Sequence, residues 1–335
     1  MEIDKSKIKK ILCIKPRGIG DIVLSTIILE NLISFFPGLK IDYLTEKFAK
    51  PCLEDNPNIN KILTMGTKEF PLWVALRIRK EKYDALIDLW CNPRTAQITF
   101  LSRVKYRVGF AYRGRKYAYN IHATSGRGAY HSAEHNLELI KAIGVPIISK
   151  KVQYYISQSD KEFALTIHRS YFKENHFVTG IIPVGGWESK RCEGTKWVEI
   201  CNGLRERYNS RFLIIWGPED KKDADYIIKN IGDSAKLAPE TDIKQMAALI
   251  SMCNLVIAND SGPMHMSAAV GRPTLGIFGP TDPTAHRPYS LNSDYIIKDD
   301  LFCIICNKLK CPYGHECMFE LPVDIVLSKI SALLK

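Results

Sequence analysis

Short runs of apolar and β-branched residues alternate with longer helical patterns along this chain of 335 residues. Each half contains five runs that have the length and composition of buried strands. These predicted strands are 11–15, 40–45, 61–65, 84–89 and 106–110 in the first half, and 179–184, 211–216, 254–259, 274–279 and 294–298 in the second. Alternation of strands and helices predicts α/β domains whose parallel sheets are covered by helices on both faces.

The same pattern indicates where the chain divides. The helical stretch 21–36 has one apolar face and stops at Pro37-Gly38, whereas the polar helical segment within 157–178 favours a domain boundary. We therefore expect an N-terminal domain over 1–160, a second domain over 175–320 and a C-terminal helix over 321–335. Two doubly wound domains that face each other would leave a cleft between the carboxyl ends of their strands.

Composition and targeting signals favour a cytoplasmic protein. Hydrophobic residues make up 46% and charged residues 25% of the chain, as in ordinary globular proteins. We expect no signal peptide, because the charged first ten residues are followed at once by a predicted strand and lack an apolar core and a small-residue cleavage site. No apolar run approaches the roughly 18 residues of a membrane span. We expect the ten cysteines to be mostly reduced in that compartment.

Positive charge is concentrated in the first half. Residues 1–150 contain 25 Lys and Arg against 14 Asp and Glu, a net charge of +11, whereas the remaining residues hold 22 of each kind. No acidic residue occurs between Asp88 and Glu134. A solvated basic surface would explain this, but so would an anionic partner: nucleic acid, an acidic lipid surface or an acidic small molecule.

A loop in the second half has the pattern of an anion site. The stretch NDSGPMH, residues 259–265, follows a buried strand and opens a short helix in which Pro263 suits the first turn. The amides of Gly262, Met264 and His265 would then point out of the helix N-terminus, where the helix dipole favours negative charge. A tight strand–helix turn capped by Asp260 or Ser261 is the structural alternative.

Two further loops follow predicted strands of the same half. The stretch PVGGWESKR supplies Ser189 and Lys190, and the stretch IIWGPED supplies Gly217 and two carboxylates, Glu219 and Asp220. A lysine can contact a phosphate as a point charge, and a carboxylate can accept hydrogen bonds from ribose hydroxyls. The three loops together predict a site for a nucleoside diphosphate.

The loop KPRGIGD, residues 15–21, follows the first predicted strand. It lacks the third glycine of the dinucleotide fingerprint, since Val23 stands at that position. Asp21 would bind phosphate poorly, but a carboxylate here could act as a general base on an acceptor hydroxyl. The alternative is a favourable charge at the first turn of a helix.

Three segments resemble glycosyltransferase family 9, whose best-known members are ADP-heptose:lipopolysaccharide heptosyltransferases. They are PRGIGDIVLSTIILENL, SKRCEGTKWVEICNGL and ANDSGPMHMSAAVGRPTLGIFGPTDP. The resemblance implies an α/β fold of the GT-B type, with two facing Rossmann-like domains that bind acceptor in the first and donor in the second. It also implies inversion at the anomeric carbon without a metal or other cofactor.

The resemblance further implies roles for individual residues. Asp21 matches the position proposed as catalytic base, and Lys190 matches a lysine near the donor phosphates. The implied donor-binding residues are Ser189, Lys190, Gly217, Asp220, Asp260, Ser261, Gly262, Pro263, Met264 and His265; the predicted acceptor-binding residues are Arg17, Gly18, Gly20, Arg127 and His131. The expected partners are ADP-heptose and an anionic lipid-linked saccharide, with peripheral contact to the inner membrane face and no nucleic acid.

The sequence is also compatible with other interpretations. Cys303, Cys306, Cys311 and Cys317 could hold a structural metal, or could be reduced or disulfide-linked thiols. The basic, tyrosine-dotted stretch 103–119 could bind single-stranded nucleic acid, which would leave the second-half loops unexplained. The scaffold could also serve a non-catalytic nucleotide-sugar binder, or a transferase for a different sugar or acceptor.

Overall fold

The computed structural model describes residues 3–124, 130–217 and 220–335. The chain divides into two compact units, Met1–Tyr155 and Ile156–Lys335. The boundary lies just before the segment in which the sequence placed it, so that the helix Gln158–Tyr171 belongs to the second unit.

The first unit is built around a six-stranded parallel sheet with strand order β3-β2-β1-β4-β5-β6. Its strands are β1 (Lys10–Ile14), β2 (Lys40–Glu46), β3 (Lys61–Met65), β4 (Ala85–Asp88), β5 (Tyr106–Phe110) and β6 (Ile121–Ala123). Its helices are α1 (Ile19–Ser25), α2 (Leu29–Phe35), α3 (Pro71–Lys80), α4 (Pro93–Ser102) and α5 (Ser132–Lys141). In the centre of the sheet, Ile11 pairs with Ile41 on one side and with Ala85 on the other.

The second unit repeats this plan with strand order β12-β11-β10-β7-β8-β9, again all parallel. Its strands are β7 (Val178–Ile182), β8 (Arg211–Ile214), β9 (Ala235–Leu237), β10 (Leu255–Asn259), β11 (Thr274–Phe278) and β12 (Ser293–Ile297). Its helices are α6 (Gln158–Tyr171), α7 (Gly194–Tyr208), α8 (Lys221–Ile231), α9 (Ile243–Ser251), α10 (Gly262–Ala269), α11 (Pro283–His286), α12 (Glu316–Phe319) and α13 (Val323–Leu333). The terminal helix α13 buries Val326 and Ile330 in the core of this unit.

Burial of the central strands explains why the sequence pattern located them. Strands β7, β10 and β11 are buried at every residue, which is what a parallel sheet covered on both faces requires. The ten predicted strands all occur, with ends shifted by at most two residues, whereas β6 and β9 were not predicted. Each of these two edge strands has three residues, too few to show a periodicity.

The predicted helix over 21–36 is interrupted. A 3-10 turn at Thr26–Ile28 separates α1 from α2. The hydroxyls of Ser25 and Thr26 donate to the carbonyls of Ile22 and Val23 at 2.7 Å each. Hydroxyls that bond the preceding turn in this way bend helices, and this accounts for the break.

No helix in the described ranges is long and apolar enough to cross a membrane.

In each sheet the strand order reverses direction beside the first strand, between β1 and β4 in the first unit and between β7 and β10 in the second. Ligands of doubly wound sheets bind at such switch points, outside the carboxyl ends of the strands. The loops after β1, β7 and β10 are therefore the places to search for function.

Candidate functional site

The switch point of the second unit lies at the start of α10. Strand β10 ends at Asn259, Ser261 occupies the N-cap position, and Pro263 lies in the first turn. The Ser261 side chain makes no cap hydrogen bond, and its Oγ is buried without a hydrogen-bond partner in the described part of the chain. Since the first amides of a helix also lack intrahelical partners, this turn presents unused donors to an anion.

Lys190 and Asp260 form an ion pair beside this helix start. Lys190 Nζ lies 2.7 Å from Asp260 Oδ2, and both side chains are largely buried. The hydroxyl of Thr281 donates to the same carboxylate oxygen at 2.6 Å, and the ring of Trp187 lies 4.3 Å from the ammonium group. The sequence placed Lys190 and Asp260 in separate loops of one site, and the structure brings them into contact.

The 3-10 turn Glu188–Lys190, which carries the lysine, is held by a distant segment. Ser189 is buried, and its N–H and Oγ–H donate to the carbonyls of Leu309 (3.2 Å) and Lys308 (2.5 Å). His315 Nε2 donates to the Ser189 carbonyl at 2.7 Å. Ser189 was predicted to bind donor, but its hydrogen bonds anchor the turn, so its contribution to binding would be to fix the position of Lys190.

Arg191, the residue after Lys190, forms a second ion pair. Arg191 Nη2 lies 3.2 Å from Asp220 Oδ1, and the guanidinium Nε donates to the Gly185 carbonyl at 3.0 Å. Asp220 is buried at the start of α8, and its Oδ2 lies 3.2 Å from where a Cβ on Gly217 would stand. A small residue at position 217 thus leaves space for this carboxylate, and Glu219, the other candidate of the loop, lies outside the described residues.

Two predicted donor residues, Met264 and His265, have buried side chains. Met264 packs in the core beside Gly276, where an added Cβ would lie 2.8 Å from its sulfur. A role for Met264 in donor binding would therefore use its backbone amide, as the anion-site pattern requires.

Asp21 stands in the first turn of α1, at the switch point of the first unit. Gly18 precedes this helix with φ +84°, and an added Cβ there would lie 2.5 Å from Asp21 Oδ2. The carboxylate folds back over this glycine, while its other oxygen lies 3.5 Å from Lys15 Nζ. Gly18 is therefore needed for both its backbone conformation and its missing side chain.

Lys15 was not among the predicted site residues. Its side chain is buried, donates to the Leu89 carbonyl at 3.2 Å and lies over the ring of Trp90 at 4.8 Å. These contacts join the loops after β1 and β4 and fix the ammonium group beside Asp21. The sequence did place Lys15 directly after the first strand. That position alone does not identify a site residue, because lysines without such a role also occur there.

The predicted acceptor residues are distributed differently. Arg17 is half-exposed and pairs with Glu46 at 2.8 Å, and Gly20 is buried inside α1. His131 is buried, and its Nδ1 accepts from the Ala133 N–H at 3.0 Å as the cap of α5. The capping hydrogen bond is a structural role for His131, and its contact with acceptor stays a prediction. Arg127 lies outside the described residues.

The four clustered cysteines lie around α12, and all are partly exposed free thiols. Burial, together with negative charge on the neighbouring thiols of Cys311, Cys303 and Cys306, raises the pKa of Cys317 to about 12. Across the described residues, no group of three or more His, Cys, Asp or Glu side chains is placed to hold a metal ion.

The model of glycosyltransferase family 9 (heptosyltransferase) matches residues 72–316, which is most of the chain. Lipooligosaccharide heptosyltransferase 2 of Haemophilus ducreyi is 26% identical over 97% of this chain and 99% of its own length. Among solved structures, the family 9 glycosyltransferase of Veillonella parvula superposes with a TM-score of 0.88 at 21% identity, covering 100% of this chain and 98% of that one.

A second solved structure, the E. coli ADP-heptose lps heptosyltransferase II, gives a TM-score of 0.79 at 21% identity and covers 97% of this chain and 98% of that one. These superpositions and the two Rossmann-like units confirm the predicted α/β fold of the GT-B type. The family model confirms the resemblance found in the three sequence segments and the expected enzyme class, a glycosyltransferase. The chain belongs to glycosyltransferase family 9, the heptosyltransferase family.

Proposed function

We propose that this enzyme transfers heptose from ADP-heptose to the inner core of lipopolysaccharide, with inversion and without a metal. The names of the relatives support the donor and the acceptor class. The observation that carries the proposal is the Lys190–Asp260 pair at 2.7 Å beside the start of α10. This arrangement suits a diphosphate leaving group, because it combines a fixed cation with unused amide and hydroxyl donors.

The leaving ADP gains negative charge as the glycosidic bond to it breaks. The Lys190 ammonium group has three N–H donors, and the contact with Asp260 uses one of them. The remaining N–H groups can then donate to a diphosphate oxygen, and the α10 amides and Ser261 Oγ–H can donate to others. Groups held in place before reaction lower the barrier most, since they need no reorganisation.

Asp21 is the proposed base. Its carboxylate is fixed by Lys15 on one side and stays almost half-exposed, so an acceptor hydroxyl can reach it. In a single displacement, Asp21 would accept the hydroxyl proton as the acceptor oxygen bonds to the anomeric carbon and the bond to ADP breaks. Base catalysis of this kind contributes about 10²–10⁴-fold in rate.

We propose metal independence because Lys190 and the α10 N-terminus can supply the positive charge that the leaving group needs. The prediction is that transfer continues at an unchanged rate in excess EDTA. A loss of transfer in EDTA that added Mg²⁺ or Mn²⁺ restores would overturn this part of the proposal.

The acceptor is proposed to be an anionic lipid-linked saccharide at the inner face of the cytoplasmic membrane. The first half of the chain, which would bind it, carries the whole net charge of +11. Each Lys or Arg close to an anionic leaflet contributes about 1 kcal/mol of attraction. Arg17 and Gly18, which lie in the loop just before α1 and Asp21, are the proposed contacts, whereas Gly20 is buried inside α1 and is left out.

Calorimetry tests the donor site directly. We expect ADP to bind the wild type, with UDP and GDP binding more weakly, and Lys190→Met to weaken ADP binding about tenfold or more, since contacts with charged groups are worth about 1.5–3 kcal/mol. Lys329→Met is the matched control, because Lys329 also forms an ion pair in the second unit, with Asp294 at 2.8 Å.

Calorimetry, together with an assay of sugar transfer, separates the alternatives. Preference for UDP or GDP would indicate a transferase for another nucleotide sugar. ADP-heptose binding without transfer to any lipopolysaccharide acceptor would indicate a non-catalytic binder. An equal loss of affinity in the Lys190 and Lys329 variants would refute the proposed role of Lys190.

A further inference from the structure

A group of exposed aromatic side chains lies on the outer surface of the first unit. The rings of Phe70, Trp73, Phe100 and Tyr117 are 63%, 60%, 49% and 51% exposed. Exposed aromatic residues that occur together, unlike single ones, mark surfaces that bind a partner. None of these four residues belongs to the site around Asp21.

The helices that carry these rings cover one face of the sheet. Val74 and Ile78 of α3 and Ile98 of α4 belong to the same buried cluster, so the opposite sides of both helices face outward together. On α3 the exposed positions Trp73, Arg77 and Lys80 follow helical spacing and form one stripe. On α4, Phe100 occupies the corresponding outward side.

Hydrogen bonds hold this surface together. The Arg79 guanidinium of α3 donates to the Leu101 carbonyl at the end of α4, at 2.6 and 2.9 Å. The Arg94 guanidinium of α4 donates to the carbonyls of Gly66 and Glu69, at 2.6 and 2.7 Å, just before Phe70. Both α3 and the residues that lead into it are thus tied to α4.

The ring of Tyr117, in the 3-10 turn Lys116–Ala118, extends the surface. It packs edge-on against Phe100, with ring centroids 5.4 Å apart. Phe100 and Tyr117 thus form a prearranged pair, and Phe70 and Trp73 lie on the neighbouring helix α3 and its N-cap.

Basic side chains surround the rings. Lys68, Arg77, Lys80, Arg103 and Lys116 are all exposed on these elements. Of the acidic side chains nearby, Glu69 pairs with Arg77, which offsets one of these five charges, and Glu81 pairs with both Lys10 and Lys61. We call the four rings and these five basic residues the aromatic–basic surface.

We propose that the aromatic–basic surface docks the enzyme on an anionic lipid bilayer. Aromatic rings, Trp above all, favour the level of the lipid headgroups, and Lys and Arg are attracted to an anionic leaflet. This inference rests on the proposed function, since it names the surface through which the transferase would approach a lipid-linked acceptor. Single-stranded nucleic acid is less well matched, because these rings lie on the outer sides of helices and not along a groove.

Vesicle flotation tests the proposal. We expect the wild-type enzyme to float with equimolar phosphatidylglycerol and phosphatidylcholine vesicles, to be released by high salt, and not to bind phosphatidylcholine alone. Trp73→Ala/Phe100→Ala and Arg103→Glu/Lys116→Glu should each lower partitioning by about tenfold or more. All variants should keep wild-type affinity for ADP, which separates a failure of this surface from a failure of the proposed function.

The second unit offers a matched control. Phe302 and Tyr313 form a similar exposed edge-on pair, with centroids 5.1 Å apart and Lys308 Nζ 5.9 Å from the Tyr313 ring. Phe302→Ala/Tyr313→Ala should leave vesicle binding within twofold of the wild type. Fluorescence provides a second measurement: brominated lipids should quench the wild type, and Trp73→Phe should lose that quenching.

Several results would overturn the inference. They are absence of binding to anionic vesicles by an enzyme that binds ADP, equal binding by wild type and surface variants, and an effect of the Phe302/Tyr313 change alone. Tighter binding to an oligonucleotide than to vesicles would assign the surface to nucleic acid. Loss of a dimer in the same variants, seen by sedimentation, would assign it to a second copy of the chain.

Discussion

Substitution of Gly18 by alanine should impair the proposed base, Asp21, because it displaces the carboxylate while leaving the carboxylate group itself unchanged. The added Cβ would stand 2.5 Å from Asp21 Oδ2 and 3.1 Å from Asp21 Cβ. An ordinary contact of this kind is 3.4 Å or longer, so the carboxylate would have to move by about 1 Å. The backbone would also be strained, because φ at this position is +84°.

The backbone strain and the displacement of the carboxylate differ in size and are measured in different ways. Strain at a positive φ costs about 1–3 kcal/mol of stability. A misplacement of about 1 Å in a catalytic group can lower the rate by about 10²-fold. Gly38 is the matched control, since its φ is +73° and nothing lies within 4 Å of an added Cβ.

We therefore expect Gly18→Ala and Gly38→Ala to be destabilised similarly in urea, and only Gly18→Ala to lose kcat, by about 100-fold. The assay is ADP release from ADP-heptose with heptose-deficient lipopolysaccharide, alongside calorimetric binding of ADP, which should be unchanged in both variants. Equal turnover by the two folded variants would refute the importance of the Asp21 position.

Three further predictions concern individual contacts. His315→Ala removes the hydrogen bond that His315 donates to the Ser189 carbonyl, and should weaken ADP binding about fivefold in calorimetry, with recovery in His315→Gln. Gly109→Ala places a Cβ 2.4 Å from the Tyr119 ring and should lower the melting temperature by about 3–10 °C in calorimetric scans. Burial raises the pKa of Asp88, so the folded state keeps this proton longer than the unfolded state; the resulting stability is complete below the unfolded pKa and is lost as pH rises through the folded one. Urea unfolding should show the wild type losing stability relative to Asp88→Asn above about pH 4, and a pH-independent difference would contradict this.

Local patterns predicted the architecture best where central strands are buried along their whole length. Continuous apolar runs predicted β7, β10 and β11. The glycine and proline residues that follow these runs predicted the loops after the strands. The short edge strands β6 and β9 carry no such signal.

The contacts that complete the candidate site join residues far apart in sequence. Lys15 meets a carbonyl 74 residues away, and His315 meets one 126 residues away. A local sequence pattern gives no information about contacts between residues so far apart in the chain, so neither side chain was predicted to belong to the site. Lys190 and Asp260 were predicted because each follows a strand, but the ion pair between them depends on β7 and β10 being neighbours in the sheet.

Direct observation of sugar transfer is the most decisive measurement. Heptose-deficient lipopolysaccharide would be incubated with ADP-heptose and enzyme, and the mass of the acceptor followed over time. We expect the gain of one heptose with the wild type, and a rate lower by about 10²–10⁴-fold with Asp21→Asn at unchanged ADP affinity. No gain in mass with the wild type, or the same rate with Asp21→Asn, would contradict the proposal.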